Sequence, residues 1–455
     1  MNNETNTSPG KNVLVEDYNN NYKEIFKQTP DFINNIRQTS FKEFDLSGLP
    51  SKKDENYKYT NIEAAFLGAY KRQFSKQKLT IDVNEVFKCD VPELDNYLVL
   101  VNGWFYEKEK LLTKYNNGAI IGSLIEASKQ YPEIVKKYYG KNLTKQKNSL
   151  SSLNMAFAQD GLFVYLPKNI IINEPIQLIN LIVATEELMV QPYNLIIAEE
   201  NSSANIVICD HSLNPQSFLL NSTFEVIANK NSKLEIYRQQ NAHDHSVQIT
   251  NTFISQKENS FVNSVNITLN GGTVRNNLYV ELNEPHAINK SYALWLADKN
   301  QHFDNNVHVH HLSPECESFQ LYKGIVDNSS TGIFSGKILV DKKAQKTLAF
   351  QSNKNLLLTN DAKVRSKPQL EIYADDVKCS HGSATGQLDE DAMFYLRSRG
   401  ISKKESCQLL MQAFADEVIN KILLEPLRNE INNLVEKRLR GELSRCNRCK
   451  VNCGQ

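Results

Sequence analysis

The amino-acid sequence predicts a mainly-β protein whose two ends are helical. Between about residues 97 and 376, the sequence shows stretches that alternate with a period of two, as in residues 247–253, and short apolar runs, as in residues 162–166. Long helical patterns are missing between most of these runs, which argues against a sheet built from βαβ units. Before residue 95 and after residue 389, apolar residues recur at helical spacing instead.

Two architectures fit the long β region: a pair of β-sandwiches and a parallel β-helix. Sandwiches would need a linker, and no break rich in Pro or Gly occurs in the middle of the region. A β-helix needs only polar corners, and Asn, which tolerates the left-handed conformation, is dense between residues 201 and 306. A biased base composition would explain that enrichment equally well. Without a strict repeat, the pattern favours the β-helix only modestly.

The predicted organisation has three parts. Residues 1–95 form a helical region whose first 20 or so residues fray, with helices near residues 31–36 and 61–66. Residues 96–388 form the β core, with one helical interruption around residues 121–139. Residues 389–455 form a helical domain that ends in a cysteine-containing tail.

The C-terminal part carries clear helix signals. A short helix over residues 389–399 is followed by Gly400, and Ser402 with Glu405 forms a capping box. A second helix starts near Leu427. The first long helix presents one apolar stripe, formed by Cys407, Met411, Phe414, Val418 and Ile422. This stripe must pack against either the end of the β core or a partner.

Charge and composition limit the function classes. The 455 residues include 52 basic and 52 acidic side chains, so the net charge is zero and no global field attracts nucleic acid or an anionic membrane. No apolar run is long enough to span a membrane, and the first 21 residues have no signal-peptide core. Eight cysteines are too few for a disulfide scaffold. We therefore expect a cytoplasmic protein.

A phosphate-loop function is not expected. Residues 332–337 (GIFSGK) look like such a loop, but the glycine spacing is one residue short and Ile338 replaces the magnesium-binding Ser or Thr. The segment also has a strand pattern. If ATP takes part, another chain must bind it.

Histidines suggest two further sites. His308 and His310 are two residues apart on a predicted strand, so they share a face, with His311 opposite. Nearby in sequence lie His302, Asp304 and Cys316, and a second group is formed by residues 243–245 (HDH). Such groups can bind a metal. A polar outer face of the β core is the favoured interpretation of both.

Cys379 and His381 form a sharper candidate site. They are two residues apart after a strand, so an extended backbone places both on one side. Thiolate and imidazole suit iron or zinc, but such a site usually needs four ligands, and a buried structural pair is the alternative interpretation. Cys446, Cys449 and Cys453 in the tail are also three thiols without a fourth ligand.

Several motifs together resemble the SufB/SufD family. They are residues 101–103, 153–157, 160–161, 175–176, 323–326, 336–338, 345–347 and 355–358, with residues 55–60 similar to its N-terminal region. Residues 368–382 (PQLEIYADDVKCSHG), 386–389 and 394–401 are similar to the SufD-like members in particular. The resemblance covers roughly residues 40–425 and does not include the cysteine tail.

This resemblance implies a right-handed parallel β-helix between helical end domains. It implies a non-catalytic scaffold subunit that joins a SufB-like scaffold and a SufC-like ATPase in a cytoplasmic iron–sulfur cluster assembly complex. The ATPase is expected to dock on the C-terminal helices, which suits the apolar stripe. A transient cluster or iron would be held where the subunits meet, with His381 and Cys379 as ligands and the remainder from SufB. The isolated chain would form a homodimer and hold no cofactor tightly.

Two rival functions follow from the residues alone. A carbohydrate-active β-helix enzyme needs two carboxylates on one face, whereas the adjacent Asp375 and Asp376 tend to point to opposite sides. A zinc-binding interaction protein would use Cys446, Cys449 and Cys453.

Overall fold

The structure is a computed structural model, and it describes residues 9–68, 70–76, 97–106, 110–143 and 148–442. Within those residues, no helix is long and apolar enough to cross a membrane. The cysteine tail lies outside the described part of the chain, so the site expected at Cys446, Cys449 and Cys453 stays a prediction.

Helices lie at both ends of the described chain and in one interruption of the β core. A short 3-10 helix covers Glu55–Tyr57. The α-helices are α1 (Pro9–Phe26), α2 (Asp31–Ser47), α3 (Ile62–Ala65), α4 (Leu124–Gln130), α5 (Pro132–Tyr138), α6 (Ser149–Phe157), α7 (Glu390–Ser398), α8 (Lys403–Ile419) and α9 (Glu425–Leu439).

The strands form two sheets, here called sheet A and sheet B. Sheet A contains β1 (Lys71–Arg72), β4 (Leu112–Lys114), β5 (Ile120–Ser123), β6 (Leu162–Leu166), β8 (Leu188–Val190), β9 (Tyr193–Ala198), β11 (Phe218–Ala228), β13 (Ser246–Gln256), β15 (Thr273–Leu282), β17 (His302–His311), β19 (Thr331–Val340) and β21 (Lys363–Ile372). Sheet B contains β2 (Tyr97–Val101), β3 (Trp104–Phe105), β7 (Ile176–Ile182), β10 (Ser203–Ser212), β12 (Lys233–Asn241), β14 (Phe261–Asn270), β16 (Ile288–Ala297), β18 (Glu317–Val326), β20 (Leu348–Leu357) and β22 (Lys378–Gly386).

The sheets are the two walls of a parallel solenoid. From β10 to β22, successive strands alternate between the sheets, and each pairs in parallel with the strand two places further along the chain. Each pair of successive strands therefore makes one coil that stacks on the previous coil. The predicted parallel β-helix is confirmed, and the alternative of two sandwiches is wrong because sandwich strands pair mainly antiparallel.

Asparagines turn the chain at one corner of the solenoid. Asn169, Asn201, Asn231 and Asn259 occupy equivalent corners and have φ between 53° and 62°, a left-handed conformation that Asn tolerates. The Asn201 and Asn231 side chains each donate to the Asn one coil earlier, at 2.7 and 2.8 Å. In later coils the same position is taken by His286, Glu315 and Lys346. The predicted corner role of Asn is confirmed.

The largest apolar cluster fills the space between the two sheets. It extends along the solenoid from Leu100 to Ala362 and includes Phe303, Phe334 and Trp295, all nearly inaccessible to solvent. The alternation predicted from sequence supplies these inward side chains, because residues two apart on a strand share a face.

The N-terminal helices cover the outer face of sheet A. Phe44 and Leu14 belong to one apolar cluster with Leu219 and Ile249 on the strands. The predicted helical interruption corresponds to α4 and α5, and their side chains join a second cluster on the same sheet. Helix α6, which the sequence pattern did not indicate, packs beside α2 in this layer.

The C-terminal helices cover the outer face of sheet B. The predicted short helix is confirmed as α7, and the capping box of Ser402 with Glu405 starts α8. Pro426 lies in the first turn of α9, where a proline is tolerated. Helices α8 and α9 pack on strand residues such as Val265 and Leu294, so they cover a side of the solenoid rather than its end.

The apolar stripe predicted in the first long C-terminal helix packs on the outer face of sheet B, so it neither covers the end of the β core nor is left free for a partner. Met411 and Val418 on α8 are 7% and 0% exposed, and Ile422, which lies three residues beyond the end of the helix, is 1% exposed. Cys407 and Phe414 are partly buried against the same cluster. The reason is that the outer face of sheet B is itself apolar and takes up the stripe. Polar contacts reinforce this packing, since the Lys323 ammonium lies 2.6 Å from Glu417 and the Arg438 guanidinium 2.7 Å from Asp298.

Candidate functional site

The candidate site lies on the last coil of the solenoid, formed by β21 and β22. In the described part of the chain, each of these strands is paired on one side only, by β19 and β20 respectively. Their other edges present unpaired backbone donors and acceptors. Added Cβ atoms at Gly382 and Gly386 would meet nothing within 4 Å, so the outer face of β22 is uncovered at these two positions.

The register of β22 shows which of its side chains face the interior of the coil. Cys379 pairs with Ala349 and His381 with Gln351, which are 0% and 3% exposed, whereas Phe350 between them is 40% exposed on the outer face. Paired residues of neighbouring parallel strands share a face. Cys379 and His381 therefore both point to the interior face of the last coil, as their spacing predicted.

Where β21 and β22 approach each other, the side chains inside the last coil are small and polar. The Ser366 and Ser383 hydroxyls lie 2.7 Å apart and join β21 to β22. Ser383 follows Cys379 and His381 on the same face, two residues further along. A row of thiol, imidazole and hydroxyl thus lines the open mouth of the solenoid.

Cys379 and His381 differ in their environments. Cys379 packs with Leu370 and Val377, and this partial burial raises the pKa of its thiol, an effect opposed by a hydrogen bond from the Ala349 backbone. The thiol therefore keeps its proton at neutral pH in the isolated chain. His381 is exposed to solvent. A metal that approached this face would meet an accessible imidazole first.

The pair alone does not make a complete metal site. Among the described residues, no three His, Cys, Asp or Glu side chains lie together as a metal-binding group. Two side chains supply half of the ligands that an iron–sulfur or zinc site usually has. Asp375 and Asp376 lie in the bend before β22, where the backbone of Asp376 bonds to Gln345 and Lys346.

The histidines of β17 lie on both faces of the strand. The rings of His308 and His310 stack 6.3 Å apart on the outer face, and the His310 Nε2 lies 2.8 Å from Asp341. His311 points inward and lies 2.9 Å from the Ser318 hydroxyl. Burial lowers the pKa of His308 to about 4 and that of His311 to about 3, so both rings are neutral at pH 7.

The other members of the predicted histidine groups contact partners that are not metal ligands, and His302 and Asp304 share one of them, the Thr60 hydroxyl. His302 lies 2.9 Å from the Thr60 hydroxyl, Asp304 pairs with Arg275, and the Cys316 thiol donates to the Glu284 carbonyl. Asp244 pairs with Lys299 at 2.6 Å. Among the described residues, none of these side chains belongs to a group of three potential metal ligands. Residues 332–337 lie within β19, as their strand pattern predicted.

Three exposed apolar or aromatic side chains on the C-terminal helices were missed by the sequence analysis. Phe394 and Tyr395 on α7 are 74% and 58% exposed, and Leu409 on α8 is 50% exposed. We call these three residues the α7–α8 patch. Helix α7 buries none of its residues among those described. The sequence does show two adjacent aromatic residues in this helix. With nine residues, however, the helix is too short for the spacing of its apolar residues to predict which face is buried.

Comparison with known families identifies the chain's relatives. Residues 181–414 match the family model described as SUF system FeS cluster assembly, SufBD core domain. That match covers the solenoid from β8 through most of α8, and residues 10–178 match the SufBD protein N-terminal region.

The chain belongs to the SufBD family. A SufBD family protein of Synechocystis, named for iron–sulfur cluster assembly, is 30% identical over 87% of this chain and 89% of its own length. The iron–sulfur cluster assembly proteins SufD of Escherichia coli and Bacillus subtilis are 28% and 24% identical over 87% and 91% of this chain, and over 90% and 95% of their own lengths. SufBD membership supports a role in iron–sulfur cluster assembly.

Proposed function

We propose that this SufBD protein is a non-catalytic subunit of an iron–sulfur cluster assembly complex, in which its last coil pairs with a SufB-like scaffold. The observation that carries the proposal is the end of the solenoid, where β22 is paired on one side only among the described residues and places Cys379 and His381 on one face. Iron or a nascent cluster is the cargo held there. The complex would work in the cytoplasm.

The open end suits a protein partner of similar construction. The free edges of β21 and β22 can pair with strands of another chain, and such pairing satisfies backbone groups that otherwise face water. Ile372 and Tyr373, 38% and 63% exposed at the end of β21, add apolar surface beside the edge. In the absence of the scaffold, a second copy of this chain would use the same edges and form a homodimer.

A partner also completes the ligand set. Cys379 and His381 provide one soft thiolate and one imidazole, which suit iron, and the partner would supply the remaining ligands. Because burial holds the proton on Cys379, this thiol becomes a ligand only when a metal displaces that proton. His381, being exposed, would bind first.

The ATPase of the complex would be a separate SufC-like chain docked on the C-terminal helices. Since the apolar stripe of α8 packs against sheet B, we assign this contact to the α7–α8 patch, whose side chains are exposed. Exposed aromatic side chains are frequent anchors of protein interfaces. This chain would then transmit the force of ATP hydrolysis without binding ATP itself.

The ligand role is tested in the assembled complex. The chain is purified together with SufB-like and SufC-like subunits, and iron and sulfide per complex are measured for His381→Ala and Cys379→Ser. Ser380→Ala, on the opposite face of β22, and His245→Ala, an exposed histidine elsewhere, are the matched controls. We expect His381→Ala to lose most of the iron while both controls keep it. Undiminished iron and sulfide in both site variants would contradict the ligand role.

The docking role needs a surface variant rather than a truncation. Deleting residues 402–455 would uncover the apolar face of sheet B and disturb folding. We expect Phe394→Ala with Tyr395→Ala to abolish co-purification of the ATPase, and Leu423→Ala, 60% exposed outside the patch, to leave it unchanged. Retention of the ATPase by the double variant would place the docking surface elsewhere.

A further inference from the structure

A groove separate from the candidate site lies where the N-terminal segment crosses the outer face of sheet A. Residues 55–59 form one wall, and β19 and β21 form the floor, enclosing about 340 Å³. Volumes above about 300 Å³ are typical of pockets that bind small molecules. The groove lies on the outer face of the sheet, whereas Cys379 and His381 point to the interior face of the last coil.

The wall of the groove is fixed by a buried network. Arg275 is 1% exposed, donates to the Asn56 carbonyl at 2.8 Å and lies 4.0 Å from the centre of the Tyr57 ring. Thr60 bonds to His302 and to Asp304. The segment is therefore held in place before any ligand arrives, which lowers the entropy cost of binding.

The charges in the groove leave one cation without a carboxylate. Asp304 pairs with buried Arg275, and Glu55 pairs with Lys367. Arg365 lies 5.7 Å from the centre of the Tyr59 ring and has no acidic partner within the part of the chain that the structure describes. In a protein of zero net charge, this local excess of positive charge would attract an anion.

The other polar groups of the groove are hydrogen-bond donors of the kind that surround phosphate. Ser335, which pairs with Lys367 in the register of the two strands, contributes a hydroxyl on the same face as Arg365 and Lys367. A guanidinium can bind two oxygens of one phosphate group, and a hydroxyl can donate to a third. Tyr59, 45% exposed on the wall, offers a ring on which a planar group can stack.

We propose that this groove binds a small phosphorylated compound, with Arg365 and Lys367 holding the phosphate group. The assignment does not depend on the proposed assembly function, since it rests on a different face of the protein. Two probes separate the contribution of the phosphate group from that of a stacked ring. Inorganic phosphate presents the phosphate group alone, and AMP adds a planar ring.

Calorimetric titration of the full-length chain at low ionic strength tests this proposal. We expect saturable binding of one equivalent, at least tenfold weaker in Arg365→Ala with Lys367→Ala. The matched control Lys342→Ala with Lys343→Ala also removes two exposed positive charges from the solenoid, and it should bind like the unmodified chain. If AMP binds more tightly than phosphate, the Tyr59 ring contributes to binding by stacking on the planar group of AMP.

A second variant keeps the test independent of the stability of the first. Ser335→Asp introduces a negative charge into the floor while Arg365, Lys367 and Tyr59 stay in place, and it should also weaken binding at least tenfold. Absence of saturable binding of both probes to the unmodified chain would overturn the proposal. Equal affinity of the Arg365/Lys367 and Lys342/Lys343 variants would overturn it as well.

Discussion

The buried ion pair between Arg275 and Asp304 should be one of the most sensitive points in the protein. Their side chains are 1% and 3% exposed, and the pair joins two strands of sheet A to the segment that carries Tyr57 and Thr60. Asp304→Asn keeps the shape of the side chain but leaves the guanidinium without its counter-charge. Removing one partner of a buried pair costs about 3–5 kcal/mol, and we expect the lower end because the amide oxygen still accepts a hydrogen bond.

The assay is urea-induced unfolding, combined with hydrogen exchange of residues 55–60. Asp341→Asn is the control, because its side chain is 35% exposed and the loss of its contact with His310 should cost about 0–1 kcal/mol. The double variant Arg275→Met with Asp304→Leu removes both charges and should recover most of the stability, since apolar replacement of a buried pair is often neutral. The reasoning is refuted if Asp304→Asn unfolds like the control, or if the double variant is no more stable than the single one.

Three further predictions concern stability. Ile431→Ala, at a residue 2% exposed on the buried face of α9, should lower the free energy of unfolding by about 2–5 kcal/mol in urea, whereas Leu423→Ala should change it by less than about 0.5 kcal/mol. Burial raises the pKa of Glu225 to about 7, so the folded chain holds a proton that the unfolded chain has released. Stability relative to Glu225→Gln should therefore fall by about 3 kcal/mol as the pH rises from 4.5 to 7, and a flat difference would contradict this. Asn231→Ala should be about 1 kcal/mol less stable than Asn231→Gly in thermal unfolding, because alanine disfavours positive φ; equal stabilities would argue against strain at this corner.

The local pattern of the sequence was sufficient for the strands and for the shared face of Cys379 and His381. Alternation with a period of two is a property of each strand alone, so it can be read without knowing the neighbours. That the shared face is the interior one depends on the pairing with Ala349 and Gln351, which lie 30 residues earlier. Pairing between coils is not encoded in any short window, which is why the β-helix and the sandwiches could not be separated by periodicity.

The same limit explains the apolar stripe of α8. Helical spacing shows that Met411 and Val418 share a face, but it does not show what covers that face. The answer lies in Val265 and Leu294, more than 100 residues away, whose outward side chains make sheet B apolar on its outer face. Likewise, Arg275 and Asp304 are 29 residues apart in sequence. They meet because this separation equals one coil, which makes their strands neighbours in sheet A.

The one-sided pairing of the last coil has a consequence for how order is distributed along the solenoid. In a stacked array, each repeat is stabilised by the repeats on both sides, so a repeat with a single neighbour opens at a lower free energy than those in the middle. β22, which carries Cys379 and His381, is such a repeat. A protein that docks on this edge would take the place of the next coil. Its binding would then stabilise β22 and order the Cys379 and His381 side chains, so that the free energies of association and of ordering are coupled.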